Sequence, residues 1–348
     1  MGLNINLLSE ICEVAGAPGF EGRIRKVVMR EIEPLVDEIK TDAMGNVSAI
    51  IKGKSDKKVM IGAHMDEIGF IVTHIDDNGF LKFHTLGGFD PKTLTAQRVI
   101  VHGKKDLIGV MGSKPIHIMS PEDRNKPPKI GDYFIDLGMT KEEVEKHIEI
   151  GNPVTRERGL IEMGDCVNCK SIDNRVSVFI LIEALRRIKN PPFTVYGVFT
   201  VQEEVGIRGA NVSSMDIQPD FGIGLDTTIA FDTPGAAAHE KVTSLGKGAG
   251  IKIMDSATIC DTRMVQFMKD TAHANNIPWQ PEILTAGGTD TAGIQRMTPG
   301  GSIAGAISIP TRHIHSVIEM AHKQDIQNCI DLLTACLENM DQYDWKLQ

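Results

Sequence analysis

A chain of 348 residues exceeds one ordinary domain, and 41% hydrophobic with 24% charged residues is the composition of a water-soluble protein able to bury a sizeable core. The net charge of −9 argues against a nucleic-acid partner or an anionic membrane, while tolerating cationic ligands such as metal ions. No run reaches the roughly 20 apolar residues that cross a bilayer, and no basic stretch precedes an apolar core at the N-terminus, so a cytoplasmic location is expected.

In chain order, Leu7, Leu8, Ile11 and Cys12 recur at helical spacing over residues 5 to 15, and Ala17-Pro18-Gly19 ends that helix. A second helix over about 21 to 34 aligns Ile24, Val27, Val28 and Ile32 on one stripe. Asp42 to Asn46 reads as a turn between strands near 36–41 and 47–52. The strand from Lys58 to Ala63 leads into His64-Met65-Asp66-Glu67. From about 70 to 162 short β-like runs alternate with Gly, Asp and Asn turns, and Ser120 to Lys129 reads as an exposed loop. This predicts a small β domain over 70–162 inserted into an α/β domain formed by 1–69 and 163–348.

The α/β pattern resumes with a helix near 174–188 and a strand from Thr194 to Val201, apolar enough to be buried on both faces. That strand runs into Gln202-Glu203-Glu204. A strand near 220–225 ends at Asp226, a helix spans about 261–275, and Ala286 to Asp290 is Gly-rich. A strand near 303–309 precedes His313-Ile314-His315, and a helix near 322–338 closes the domain. The six cysteines are scattered, and Cys166-x-x-Cys169 lacks a second such pair for a zinc knuckle, so it reads as a reduced structural pair.

Five polar signals fall where an apolar strand ends or a helix begins: His64-x-Asp66, Asp173-Asn174, Glu203-Glu204, Asp226 and His313-x-His315. Alternation puts His64 and Asp66 on one side of an extended segment, the spacing of an imidazole ligand oriented by a carboxylate. His313 and His315 also point one way, and spacing does not choose between them. Glu203 and Glu204 reach one site only if the strand has ended and the chain is turning. Mixed Asp, Glu and His ligands favour zinc, cobalt or manganese over calcium. Three carboxylates and neutral histidines against two divalent ions leave +1, which a bound hydroxide cancels. Such a pair acidifies water into a nucleophilic hydroxide and grips both oxygens of a tetrahedral intermediate. An unligated carboxylate is then needed to carry the proton to the leaving amine, and adjacent glutamates offer one ligand and one base.

These residues resemble the M42 family of metallo-aminopeptidases, the glutamyl and tetrahedral (TET) aminopeptidase group also labelled FrvX-like or endoglucanase M. The similarity runs nearly end to end through residues 62–70, 171–175, 202–206 and 209–210, Asp226, 232–235, 288–290 and 314–316. It implies a mixed-sheet, zinc-peptidase-like catalytic domain with helices on both faces and a PDZ-like inserted barrel. It further implies His64, Asp173 and Asp226 on one metal, and Asp173, Glu204 and His315 on the other, with Asp173 bridging. Glu203 would be the general base and Asp66 would orient His64. The family usually has Tyr where His313 stands, which selects His315. The expected activity is removal of N-terminal residues from short peptides with two zinc or cobalt ions, manganese being a further option, in a homo-oligomer that is a dimer or a hollow dodecamer. Competing readings are a deacylase or carboxypeptidase on the same scaffold and a two-carboxylate glycosidase. The preferred N-terminal residue and the parts played by His313 and Asp290 stay open, the latter between lining the substrate site and capping a Gly-rich turn.

Overall fold

The computed structural model describes residues 2–347. Among them an eleven-stranded mixed sheet forms the larger body. Its middle is parallel: Ser55–His64 lies between Phe193–Thr200 and Phe221–Ile229, and the last of these pairs in parallel with Ile303–Arg312. Antiparallel strands Val47–Ile51 and Glu38–Thr41 extend one side. Glu319–His322, Cys166–Cys169 and Ile161–Met163 extend the other, and Ala249–Met254 branches from Ile303–Arg312 to pair with Trp279–Ile283.

Helices cover both faces, as expected. Ile172–Arg187 is buried nearly all round, and Leu181 and Leu185 approach the sheet at Gly197, where a Cβ would lie 3.3 Å from each. On the opposite face Asp290–Met297 comes closer still, over Gly62, Gly222 and Gly224. A Cβ on Gly224 would stand 1.9 Å from Thr291 Oγ1, so only glycine admits this helix at that depth.

Strand pairing leaves the sheet after His64 and returns at Ile161. Between them, Gly69–Ile75, Leu81–Leu86, Phe134–Asp136, Asp106–Gly112, Arg98–His102 and Pro153–Arg156 close into a six-stranded barrel with its own core around Phe70, Val99, Ile135 and Val154.

The early helices, seen at Ile5–Glu13 and Gly22–Ile32, and most strands fall where periodicity placed them. Four differences are informative. The segment expected as a bare loop carries a short exposed helix, Pro121–Arg124, capped by Ser120, whose Oγ accepts the Asp123 amide at 3.1 Å. The strand expected to stop at Asp226 continues to Ile229, because its neighbour Ile303–Arg312 supplies partners through Thr311. The helices Arg208–Ile217 and Asp290–Met297 were not foreseen; both are short and open on Gly-rich loops. Trp279–Ile283 carries Pro281, which argues against a strand, and it is tolerated because that strand pairs on one side alone.

Candidate metal centre

The parallel strands end together. His64 closes Ser55–His64 in register with Thr200, the last residue of Phe193–Thr200, and Asp226 lies on the next strand over. In open α/β sheets the crevice beyond such carboxyl ends is where ligands bind. Past Thr200 the chain turns at once, with Gln202 in a left-handed conformation (φ 55°), and this breaks the alternation that would send Glu203 and Glu204 to opposite faces. Asp173 starts Ile172–Arg187 with non-helical dihedrals, φ −75° and ψ 110°. His313 and His315 both have φ near 60°, so strand alternation does not govern them; His315 turns into the cleft while His313 is exposed.

Two donor groups result. His64, Asp173 and Asp226 form one and Asp173, Glu204 and His315 the other, with the donor atoms in each within 4.8 Å of one another. Asp173 belongs to both: its Oδ1 is 3.7 Å from His64 Nε2, and its Oδ2 is 3.3 Å from His315 Nε2. His64 Nε2 is 3.8 Å from Asp226 Oδ1, and His315 Nε2 is 3.4 Å from Glu204 Oε2. Bonds of about 2.0–2.2 Å in a tetrahedral shell put neighbouring donors roughly 3.3–3.6 Å apart, so the His315 group has the spread one divalent ion requires and the His64 group is slightly wider. Asp173 Oδ1 and Glu204 Oε1 are also buried without a hydrogen-bond partner, a costly state that a cation would relieve. Glu203 Oε2 is 3.8 Å from His64 Nε2, yet the residue belongs to neither group.

The charges respond as a cluster. Burial opposes a charged His64, but Asp173, Asp226 and Asp66 outweigh it and push its pKa well above the usual imidazole value. Burial likewise opposes His315, and Glu204 and Asp173 carry it up to about 10. Burial lifts Glu204 to about 8 against the pull of His315, and it lifts Glu203 strongly, with Asp226, Glu204 and Asp290 adding to the effect. Asp226 is raised mainly by burial. Asp173 moves the other way: burial would raise it, but the two imidazoles hold it far below the ordinary carboxylate range. Without metal the histidines keep protons where cations would sit.

Backbone amides hold the donors in place through two buried carboxylates. Asp66 accepts the amide of Glu203 on Oδ1 at 3.0 Å and that of Glu204 on Oδ2 at 3.1 Å. Its own carbonyl lies 3.1 Å from His64 Nδ1, nearer than its carboxylate at 3.4 Å. A carbonyl can only accept, so Nδ1 carries hydrogen and Nε2 is left to face the cluster. Glu319, absent from the sequence expectations, does the same on the other side: Oε2 accepts the Asp173 amide and Oε1 the His315 amide, each at 2.8 Å. A lone acid in the apolar run Val317 to Ala321 was the signal available for it.

A second network sits behind. Glu67 pairs with Lys170 and, at 3.5 Å, with Arg175, while Arg175 donates to the carbonyls of Met65, Ile11 and Val14 at 2.6–2.7 Å. Asp290 starts a helix and does not cap a turn. Its carboxylate is buried, accepts from Thr200 Oγ1 and is pushed up to about 7 by burial.

The M42 glutamyl aminopeptidase family model matches residues 45–332 of the chain. A putative aminopeptidase of Acetivibrio thermocellus is 39% identical over 333 residues, covering 95% of this chain and 98% of that one. Among solved structures, an aminopeptidase from the archaeon Desulfurococcus kamchatkensis superposes with a TM-score of 0.93 at 37% identity, covering 96% of this chain and 94% of that one. The Pyrococcus horikoshii TET1 peptidase, described as assembling into a tetrahedron or a large octahedral shell, does so with a TM-score of 0.86 at 30% identity, covering 96% and 98%. Sequence and overall fold therefore agree, and the chain belongs to the M42 glutamyl aminopeptidase family.

Proposed function

We propose that this chain is a two-metal aminopeptidase that removes the N-terminal residue from short peptides. The observation that carries the reading is Asp173, whose two oxygens face His64 and His315 separately. One ion is assigned to His64, Asp173 and Asp226, the other to Asp173, Glu204 and His315; zinc or cobalt suits these donors, with manganese as a further option. When bound, such ions polarise the scissile carbonyl and lower the pKa of water. Glu203, beside His64 and a member of neither group, accepts the proton of the attacking water on its carboxylate and delivers it to the departing amine. Asp66 and Glu319 hold the donors through their amides, and the carbonyl of Asp66 sets the His64 tautomer.

A deacylase or carboxypeptidase needs a free cation for a substrate carboxylate. The only Lys or Arg among the cleft-lining residues, Lys252, is already paired with two acids. We assign residues 70–162 to an inserted domain that covers the site and contributes to assembly, since Gly88, just after the barrel strand Leu81–Leu86, lines the cleft. The exposed Ile108, Val110, Ile116 and Ile118 of that domain support a homo-oligomer, a dimer or a tetrahedral dodecamer. Six unpaired thiols fit the reducing cytoplasm.

Glu203→Gln tests the mechanism. Turnover of free-amino aminoacyl anilides should fall about 100- to 10,000-fold with metal content unchanged. Parent-like rates in that variant, or full activity after exhaustive chelation, would refute the assignment.

A further inference from the structure

The cleft that holds the donor groups, about 550 Å³, is also lined by Lys252 and Asp255. Lys252 Nζ lies 3.1 Å from Asp255 Oδ2 and 3.1 Å from Glu282 Oε1, and all three side chains are at most 1% exposed. Thr228 Oγ1 donates to the same Glu282 oxygen at 2.7 Å. Thr228 follows Asp226 by two residues on one strand, and therefore on the same face, which puts the ionic group beside the first donor group. Asp255 Oδ1 is fully used as well, accepting the amides of Ala257 and Thr258 at 2.9 and 2.7 Å. The remaining walls include Ile229, Leu284 and Ile314.

Resting on the aminopeptidase reading, we propose that the Lys252–Asp255–Glu282 group makes the cleft select a large uncharged N-terminal side chain, of leucine or methionine size, and exclude acidic ones. One lysine faces two carboxylates, so the buried group already carries a surplus negative charge. An entering carboxylate would find the only lysine of the cleft engaged and would add a further negative charge, or would strand Asp255 or Glu282 by drawing Lys252 away. An entering ammonium meets the surplus charge but also Lys252 itself, and ranks between the two. An uncharged chain disturbs none of these contacts and buries its surface against the isoleucine and leucine walls.

A panel of leucyl, methionyl, lysyl, glutamyl and aspartyl anilides on the metal-loaded protein reads this directly. The acidic substrates should have kcat/KM at least about 100-fold below leucyl, with lysyl intermediate. Calorimetry with free L-leucine and L-glutamate should show leucine binding more tightly. In Glu282→Gln, Lys252 keeps one carboxylate partner, and the glutamyl-to-leucyl ratio should rise at least about tenfold. Glutamyl turnover equal to leucyl, tighter glutamate binding, or a ratio unmoved in a folded Glu282→Gln overturns the proposal and leaves the aminopeptidase reading standing. Failure to hydrolyse any free-amino anilide overturns both.

Discussion

Glu319 does two jobs with one carboxylate, one on each oxygen, and together they require both oxygens to be acceptors. Glu319→Gln would turn an N–H donor toward a backbone N–H, loosening Asp173 or His315. Affinity for zinc should fall about 10- to 100-fold, read by competition with a chromogenic chelator and independently of activity. Unchanged affinity would mean that the clasp does not position the donors. The protons held by the metal-free cluster give a second test. His315, carried to about 10, and Glu204, lifted to about 8, are largely protonated at pH 7, so an incoming cation must displace those protons. Zinc binding should release protons at pH 7, and its affinity should climb with pH through this range, as measured by calorimetry in buffers of different ionisation enthalpy. The histidine choice shows how far residue chemistry goes unaided. Both imidazoles satisfy the spacing argument, and only the left-handed backbone at 313 and 315 sends one outward and the other inward.

At the scale of elements, the site depends on where strands stop and how deeply helices settle. The apolar run Thr194 to Val201 announces a buried strand, and the immediate turn at Gln202 frees both glutamates. The helix Asp290–Met297 was not legible. Its eight residues carry no long apolar stripe, and its position depends on glycines that belong to two other strands. Gly224→Ala puts a Cβ 1.9 Å from Thr291 Oγ1 and 3.2 Å from the Thr291 amide nitrogen, so the Thr291 side chain or its helix must give way. A loss of about 1–3 kcal/mol in urea denaturation is expected, in line with overpacking elsewhere. A neutral result would show that the Thr291 side chain or its helix yields freely.

Across the whole molecule, the barrel and the large sheet have separate cores but share ionic contacts at their junction. Arg23, on the helix Gly22–Ile32, holds Asp106 of the barrel through two hydrogen bonds of 2.5 and 2.7 Å. The Arg23 hydrogen bonds hold the Asp106 pKa down at about 2. A carboxyl depressed in the folded state stabilises fully above its unfolded pKa of about 3.9, and that contribution disappears as pH falls towards 2. Because the pair is well exposed, the effect is small, within about 1 kcal/mol. Asp106→Asn should flatten the acid limb of stability between about pH 4 and 2, and hydrogen exchange should rise first at the strand Asp106–Gly112. An acid limb identical to the parent would exclude the junction as its source.

By itself, the sequence determined the donor chemistry and the succession of elements. Imidazoles and carboxylates declare their ligand capacity by type, and periods of two and 3.6 are local properties of the chain. The tertiary structure alone decided that Glu319 clasps two donors 142 residues apart and that Lys252 is engaged by both Asp255 and Glu282. Those relations arise from strand order and register between distant segments, where a shift of one residue would turn every side chain to the other face.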